Sequence, residues 1–226
     1  VTMAVSHISP ETARFNMIEQ QIRPWEVLDP VVLKLLSVVH REDFVPARFA
    51  DLAFADMELP LSAQPGQVML PPGLEARMLQ ALAIKNTDTV LEVGSGSGYM
   101  AALLAAKAQF VYSVDIDPAM VDMARKNLQA MSIANVSVKQ GDAAQGWMLK
   151  APYDVIVLSG SVPVLPQVFL DQLRVGGRLV AVVGSAPAMQ MQLISRVDEK
   201  TFKTSVILET VIPPLVNAAR SEKFVF

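Results

Sequence analysis

The sequence predicts an α/β fold built on a mostly parallel, doubly wound sheet, and three observations lead to this prediction. Short apolar runs alternate with helical segments from residue 89 onward, the pattern of a parallel sheet covered by helices on both faces. Hydrophobic residues make up 52% of the chain, as expected where strands are buried on both faces. Two strand-like segments near the carboxyl terminus, residues 190–197 and 205–212, add an antiparallel strand pair.

The first third of the chain is predicted to form a helical cap. Ser9 and Asp29 are capping side chains, and each is followed by a proline, which suits the first turn of a helix. Prolines and glycines interrupt residues 56–72, so this stretch is predicted to be a shaped loop. A helix then restarts at Leu74.

The core elements follow from apolar runs bounded by turn residues. The predicted strands cover residues 89–93, 110–115, 136–140, 153–159 and 178–183, and the predicted helices between them cover residues 100–108, 119–131 and 164–173. We expect one domain over residues 1–226. The helical cap and its loop occupy residues 1–75, and the ligand-binding core occupies residues 76–226.

Composition and charge exclude several classes of protein. The 226 residues include no cysteine and two histidines, which excludes disulfides, thiolate zinc sites, a cysteine nucleophile and His-rich metal sites. A net charge of −3 argues against a nucleic-acid surface, which usually shows as a basic patch. No uncharged stretch reaches the roughly 20 apolar residues of a membrane-spanning helix, and no secretory signal is visible. We expect a cytoplasmic protein with no metal, no membrane contact and no nucleic-acid partner.

The most informative motif is a glycine-rich turn, residues 91–99, which follows a predicted strand and opens a predicted helix. Its glycines allow positive φ angles and close approach of a ligand to the backbone. A dinucleotide turn has the form G-x-G-x-x-G, but Tyr99 stands at its third glycine position. Glu92 would repel a pyrophosphate and suits a ligand with an ammonium group. The pattern favours S-adenosyl-L-methionine over its alternatives, a nicotinamide dinucleotide or a purely structural turn.

Two further acids end the next two predicted strands. Asp115 lies about 20 positions after the first glycine of the turn. An acid at this spacing hydrogen-bonds the ribose hydroxyls of a nucleotide. Asp142 can accept a hydrogen bond from an adenine amino group, while the Ala143 N–H donates to a ring nitrogen. The alternative is that Asp142 is an aspartate of a surface turn. Ligands of open sheets collect at this edge. The predicted cofactor-binding residues are Glu92, Gly94, Ser95, Gly96, Gly98, Asp115, Ile116, Asp142 and Ala143.

These motifs resemble the Rossmann-like class I S-adenosylmethionine-dependent methyltransferases, and more narrowly the protein-L-isoaspartate O-methyltransferases. The narrower resemblance extends from about Met17 to Leu215. Besides the glycine turn, it rests on Met17–Gln21, Arg41–Pro46, Val111–Asp115, Gly141-Asp142, Gly146-Trp147, Ala151–Asp154, Gln172–Arg178 and Pro214-Leu215. The resemblance implies S-adenosyl-L-methionine as cofactor. It also implies a protein or peptide carboxylate, the isoaspartyl residue of a damaged protein, as methyl acceptor.

The segment that corresponds to the acceptor loop departs from the family pattern. Family members carry Gly-Tyr-Gly-Gln-Thr-Ile-Ser-Gln-Pro there, whereas residues 64–72 of this chain place Val68 and Leu70 at the Thr and Ser positions. The resemblance implies Gln67, Leu70 and Ser159 on the acceptor side. No catalytic base is assigned, because a carboxylate is already ionised at neutral pH. Two alternatives stay open: a methyltransferase of the same fold with a different, more apolar acceptor, and a non-catalytic cofactor-binding protein.

Overall fold

The computed structural model describes residues 8–219. Its α-helices are α1 (Pro10–Met17), α2 (Pro30–Val38), α3 (Pro72–Leu82), α4 (Tyr99–Ala105), α5 (Pro118–Ala130) and α6 (Gln167–Asp171). Its strands are β1 (Leu59–Pro60), β2 (Val68–Met69), β3 (Thr89–Val93), β4 (Phe110–Asp115), β5 (Val136–Gln140), β6 (Tyr153–Leu158), β7 (Leu173–Ser185), β8 (Ala188–Arg196) and β9 (Phe202–Glu209). Within this range, no helix has both the length and the apolar character needed to cross a membrane.

Seven strands form the central sheet, in the order β5-β4-β3-β6-β7-β8-β9. The strands from β5 to β7 are parallel to their neighbours, whereas β8 and β9 add antiparallel pairings at one edge. This confirms the predicted α/β class, the doubly wound sheet and the antiparallel carboxyl-terminal strands. The chain order reverses between β3 and β6, and ligands of open α/β sheets bind beside such a switch point at the carboxyl ends of the strands.

Strands β3, β4 and β5 have the bounds that the sequence predicts, but the helix predicted over residues 164–173 is wrong in extent. Only Gln167–Asp171 is α-helical, with Pro166 at the amino-terminal cap position. Leu173 pairs with Tyr153 in the sheet, so the chain is already extended there. Strand pairing therefore overrides the local apolar pattern, which suited either kind of element.

The amino-terminal segment forms the predicted helical cap. The Ser9 side chain accepts a hydrogen bond from the Thr12 N–H, and the Asp29 side chain accepts one from the Val31 N–H. The cap shares one buried cluster with the sheet, which contains Met17 and Leu36 of the cap region. That cluster also contains Leu74 of α3, Val90 of β3 and Val155 of β6. The cap consequently fixes the loop between α2 and α3 against the core.

A buried contact between an arginine and a glutamate joins the same parts of the chain. Arg41 and Glu75 lie 3.3 Å apart, and both side chains are almost fully shielded from solvent. The Arg41 guanidinium also lies over the Tyr99 ring, 5.7 Å from its centroid. Arg41 thus connects the cap region to α3 and to the first residue of α4, which follows the glycine turn.

Candidate cofactor and acceptor site

One cleft lies at the carboxyl ends of β3, β4 and β5, beside the switch point. Three parts of the chain line it: the turns after the strands, the loop of residues 61–70, and residues 213–216. The structure brings together most of the predicted site residues there. Those that line the cleft are Gly94, Gly96, Asp115, Ile116, Asp142, Ala143, Gln67, Leu70 and Ser159.

The glycine turn forms the floor of the cleft. Gly94 has φ of +96°, and its N–H donates to the Val114 carbonyl of the neighbouring strand. A Cβ at Gly94 would lie 3.4 Å from the Ser159 Cβ and 3.6 Å from Leu215 Cδ2, so it would fill the space above the turn. The missing side chain leaves room for a ligand against the backbone, as the sequence predicts.

Ser95 and Gly98 of the same turn do not line the cleft. The Ser95 hydroxyl is buried and pairs with the Ser113 hydroxyl at 2.6 Å. Gly98 has φ of +84° and faces α5, where a Cβ would lie 3.2 Å from the Ala124 Cα. These two residues shape the turn and let α4 pack against α5.

Glu92 also lies beneath the surface of the cleft. Its side chain is 0% exposed and accepts a hydrogen bond from the Ser113 hydroxyl. The Ser159 hydroxyl lies 3.5 Å from its other oxygen. Burial raises the pKa of Glu92 to about 8. The sequence predicts a carboxylate that meets an ammonium group, whereas in this arrangement Glu92 approaches the cleft only beside Ser159.

Asp115 ends β4 with its carboxylate in the cleft. One oxygen accepts the Gly96 N–H at 3.1 Å, and the other accepts the Asp117 N–H at 3.0 Å. Burial raises the pKa of this carboxyl group, while the two backbone donors oppose that effect. Each carboxylate oxygen retains capacity for a second donor. Asp115 can therefore accept hydrogen bonds from a pair of hydroxyl groups, such as those of a ribose.

Asp142 stands after β5, at the next strand end. Its Oδ1 accepts the Ala144 N–H at 2.9 Å, and its Oδ2 accepts the Asn217 side-chain amide at 2.8 Å. Sequence reasoning missed Asn217, which is remote from Asp142 in the chain and follows the last recognisable motif. The preceding residue, Gly141, lies so close to Trp147 that a Cβ would come within 2.6 Å of the indole ring.

The loop of residues 61–70, which overlaps the predicted acceptor segment at residues 64–70 and is hereafter called the acceptor loop, covers the glycine turn from the other side. Strands β1 and β2 pair at its base, and the Leu61 N–H donates to the Gln67 carbonyl. A Cβ at Gly96 would lie 3.1 Å from Leu61 Cδ1, so the loop rests directly on the turn. Leu70 is 5% exposed and lines the cleft with Val68. This part of the cleft is therefore mostly apolar.

The Gln67 side chain is engaged within the protein. Its Oε1 accepts a hydrogen bond from the Ser62 hydroxyl, and its Nε2 donates to Asp117 Oδ2 at 2.6 Å. Ser159 is then the cleft-lining hydroxyl nearest to the floor, beside Gly94. Taken together, the cleft presents the acids Asp115 and Asp142 at two strand ends and an apolar surface opposite them. In residues 8–219, no group of three or more acidic or histidine side chains is arranged to hold a metal.

Comparisons with known proteins match this chain to one family. The family model described as protein-L-isoaspartate(D-aspartate) O-methyltransferase (PCMT) matches residues 13–220. Protein-L-isoaspartate O-methyltransferase 1 of Rhodopseudomonas palustris (strain HaA2) is 39% identical over 204 residues, which cover 90% of this chain and 82% of that protein. The protein-L-isoaspartate O-methyltransferase of Protochlamydia amoebophila is 39% identical over 201 residues, 88% of this chain and 95% of that protein.

Solved structures of the same kind share the fold. One described as a protein-L-isoaspartate O-methyltransferase superposes with a TM-score of 0.75 at 21% identity, over 91% of this chain and 65% of that chain. Another is described as a beta-aspartate methyltransferase (PCMT) from Plasmodium falciparum in complex with S-adenosyl-L-homocysteine. It has a TM-score of 0.75 at 16% identity, over 92% of this chain and 98% of that chain.

Proposed function

Because this chain belongs to the protein-L-isoaspartate O-methyltransferase family, we propose that it methylates isoaspartyl residues of damaged proteins with S-adenosyl-L-methionine. The acceptor is then a peptide-borne carboxylate, and the product is a methyl ester. The expected cytoplasmic location and the absence of a nucleic-acid partner stay predictions.

One observation carries the proposal: the acids at two strand ends and the acceptor loop face the same cleft. Asp115 and Asp142 line it from the sheet, while Leu70 lines it from the loop. A nucleoside bound across the strand ends would bring its substituent next to Gly94 and Ser159. These residues suit S-adenosyl-L-methionine, since Asp115 can accept hydrogen bonds from the ribose hydroxyls and Gly94 has no side chain on the floor of the cleft.

The methyl transfer needs little acid–base chemistry from the protein. S-adenosyl-L-methionine supplies an electrophilic methyl group on a positively charged sulfur. An acceptor carboxyl group has a pKa of about 4, so it is ionised at neutral pH and can attack without losing a proton. The contribution of the chain is alignment of the two partners and exclusion of water, which can lower a barrier by roughly 7–11 kcal/mol. Leu61 and Leu70, both buried, provide the water-excluding side of the cleft.

Ser159 is the residue best placed to orient the acceptor carboxylate. Its hydroxyl lines the cleft, and its 3.5 Å contact with Glu92 is too long to be a strong hydrogen bond. The hydroxyl can therefore rotate toward an incoming carboxylate. Leu70 has no polar group, and Gln67 already bonds to Ser62 and Asp117.

A direct assay tests this function. The protein is incubated with S-adenosyl-L-methionine labelled in its methyl group and with a peptide that contains one isoaspartyl residue. The same peptide with an ordinary aspartyl residue is the matched control. We expect a base-labile labelled ester on the isoaspartyl peptide alone. Cofactor binding in calorimetry without any ester, at high enzyme concentration, would refute the acceptor assignment.

The acceptor loop also favours a second candidate, a methyltransferase with a more apolar carboxylate acceptor. Val68 and Leu70 offer hydrocarbon surface to the cleft, as do Pro213 and Leu215 of the same acceptor side. Such a surface stabilises an apolar acceptor by burial, at about 25 cal/mol for each Å² removed from water. Apolar carboxylic acids tested in the same labelling assay distinguish the two candidates.

A further inference from the structure

Gln67 connects the acceptor loop to the opposite side of the cleft. Within the loop, its Oε1 accepts a hydrogen bond from the Ser62 hydroxyl, and Ser62 Oγ in turn accepts the Gln64 N–H at 2.9 Å. Outside the loop, its Nε2 donates to Asp117 Oδ2 at 2.6 Å. In residues 8–219, no other side-chain hydrogen bond joins the acceptor loop to the turns at the strand ends.

Asp117 belongs to the cofactor side of the cleft. Its Oδ1 caps α5 by accepting the Ala119 N–H at 2.7 Å, and its own N–H donates to Asp115. Asp115 also accepts the Gly96 N–H. An unbroken series of hydrogen bonds therefore runs from Ser62 in the acceptor loop to the acid proposed to hold the ribose.

We propose that Gln67 is a positioning residue, which fixes the acceptor loop over the bound cofactor through its hydrogen bond to Asp117. This inference rests on the proposed function, because it treats residues 61–70 as the acceptor side. A hydrogen bond from an amide to a carboxylate is charge-assisted and directional. The neighbouring Leu61–Gly96 contact is apolar and sets no direction. The Gln67–Asp117 bond thus determines where the loop places an acceptor relative to the methyl donor.

A pair of reciprocal substitutions tests this role. Gln67→Glu brings two carboxylates together and breaks the bond by repulsion. Asp117→Asn keeps a side chain that caps helices about as well as aspartate, but weakens the bond. The double variant places the acid on the loop and the amide on the helix, so the same hydrogen bond forms with donor and acceptor exchanged. The Ser62 hydroxyl can still donate to the acid at position 67.

Two measurements are made on the full chain of each variant. Hydrogen exchange without any substrate reports protection of the backbone amides in residues 61–70. Steady-state kinetics with the isoaspartyl peptide reports KM and kcat separately. We expect Gln67→Glu to lose protection and to raise the peptide KM by about 10- to 100-fold, the size of a lost charge-assisted bond. The double variant should recover most of both effects.

The proposal fails if the double variant recovers neither protection nor KM. It also fails if the single variants lower thermal stability while the peptide KM stays at the wild-type value, since that marks a purely structural contact. If the wild-type protein forms no ester with the peptide, the proposed function is wrong. The exchange measurement still decides in that case whether the Gln67–Asp117 bond holds the loop.

Discussion

The two sides of the cleft are built in different ways. The cofactor side comes from consecutive strand ends, where Asp115 and Asp142 follow β4 and β5 and the glycine turn follows β3. The acceptor side comes from irregular segments far apart in the chain, namely residues 61–70, Ser159 and residues 213–216. Regular strand spacing fixes the first side, whereas the second depends on how loops meet. Changes away from the two points of contact, Gly96–Leu61 and Gln67–Asp117, should therefore affect mainly the side on which they are made.

The largest effect is expected at Gly96, where the two sides touch. Gly96→Val places a β-branched residue at φ of +48°, with its Cβ 3.1 Å from Leu61 Cδ1. Backbone strain and overpacking together should weaken cofactor binding by roughly 3 kcal/mol. Calorimetry with S-adenosyl-L-homocysteine measures this loss. The affinity of Gly96→Ala should lie between those of the wild-type protein and the valine variant. Native affinity in the valine variant would show that the two sides do not depend on this contact.

A smaller effect is expected at Asp115, on the cofactor side alone. Asp115→Ala leaves the Gly96 and Asp117 N–H groups and the ribose hydroxyls without their acceptor. S-adenosyl-L-methionine should bind more weakly by about 1–3 kcal/mol. The matched control Asp115→Asn keeps one oxygen acceptor and should lose less. Unchanged affinity of the alanine variant in calorimetry would remove Asp115 from the cofactor site.

The acceptor side is probed by restoring the hydroxyl that the family pattern has at position 70. Leu70→Ser should give a kcat/KM for the isoaspartyl peptide about tenfold above that of Leu70→Ala, because a hydrogen bond to a charged group contributes about 1.5 kcal/mol. Both variants lose the buried leucine, so the comparison isolates the hydroxyl. Cofactor affinity should be the same in both. Equal kcat/KM values would show that position 70 does not contact the carboxylate.

The smallest effect concerns the pH dependence of stability. Burial raises the pKa of Glu92 to about 8 in the folded chain, so this group binds its proton more tightly folded than unfolded. The free energy of unfolding should therefore fall as pH rises from about 4.5 toward 8. Over the single unit from pH 6 to 7, Glu92 contributes at most about 1.4 kcal/mol to this fall.

Glu92→Gln is the matched control, because glutamine has nearly the same size as glutamate and its side chain does not titrate. Denaturant unfolding at the two pH values should show a smaller fall in the variant than in the wild-type protein. Identical pH dependence would mean that Glu92 is charged in the folded chain throughout this range.

The cofactor side could be predicted from the sequence because its residues lie in regular elements. Apolar runs fixed the bounds of β3, β4 and β5, and parallel pairing then brought Asp115 and Asp142 to one edge. The burial of Glu92 was not predictable in this way. It follows from the position of β3 between β4 and β6, with Ser113 donating a hydrogen bond to the carboxyl group.

The acceptor side could be assigned only by resemblance, and its contacts could not be predicted. No local pattern indicates that Gln67 bonds to Asp117, because the two residues meet only once the cap has packed on the sheet. The contact of Asn217 with Asp142 could not be predicted either, because these residues also meet only in the folded chain. Residues joined by long-range packing leave no periodicity in the sequence.

The Asn217 amide carries a consequence for exchange of the spent cofactor. It donates to Asp142 Oδ2, so a base that binds through this oxygen, as we propose, meets a donor supplied by the chain itself. Where the oxygen serves only one of them, the amide leaves as the base arrives and returns as the base departs. A fluorescent probe attached just beyond this residue would then register each round of loading and unloading.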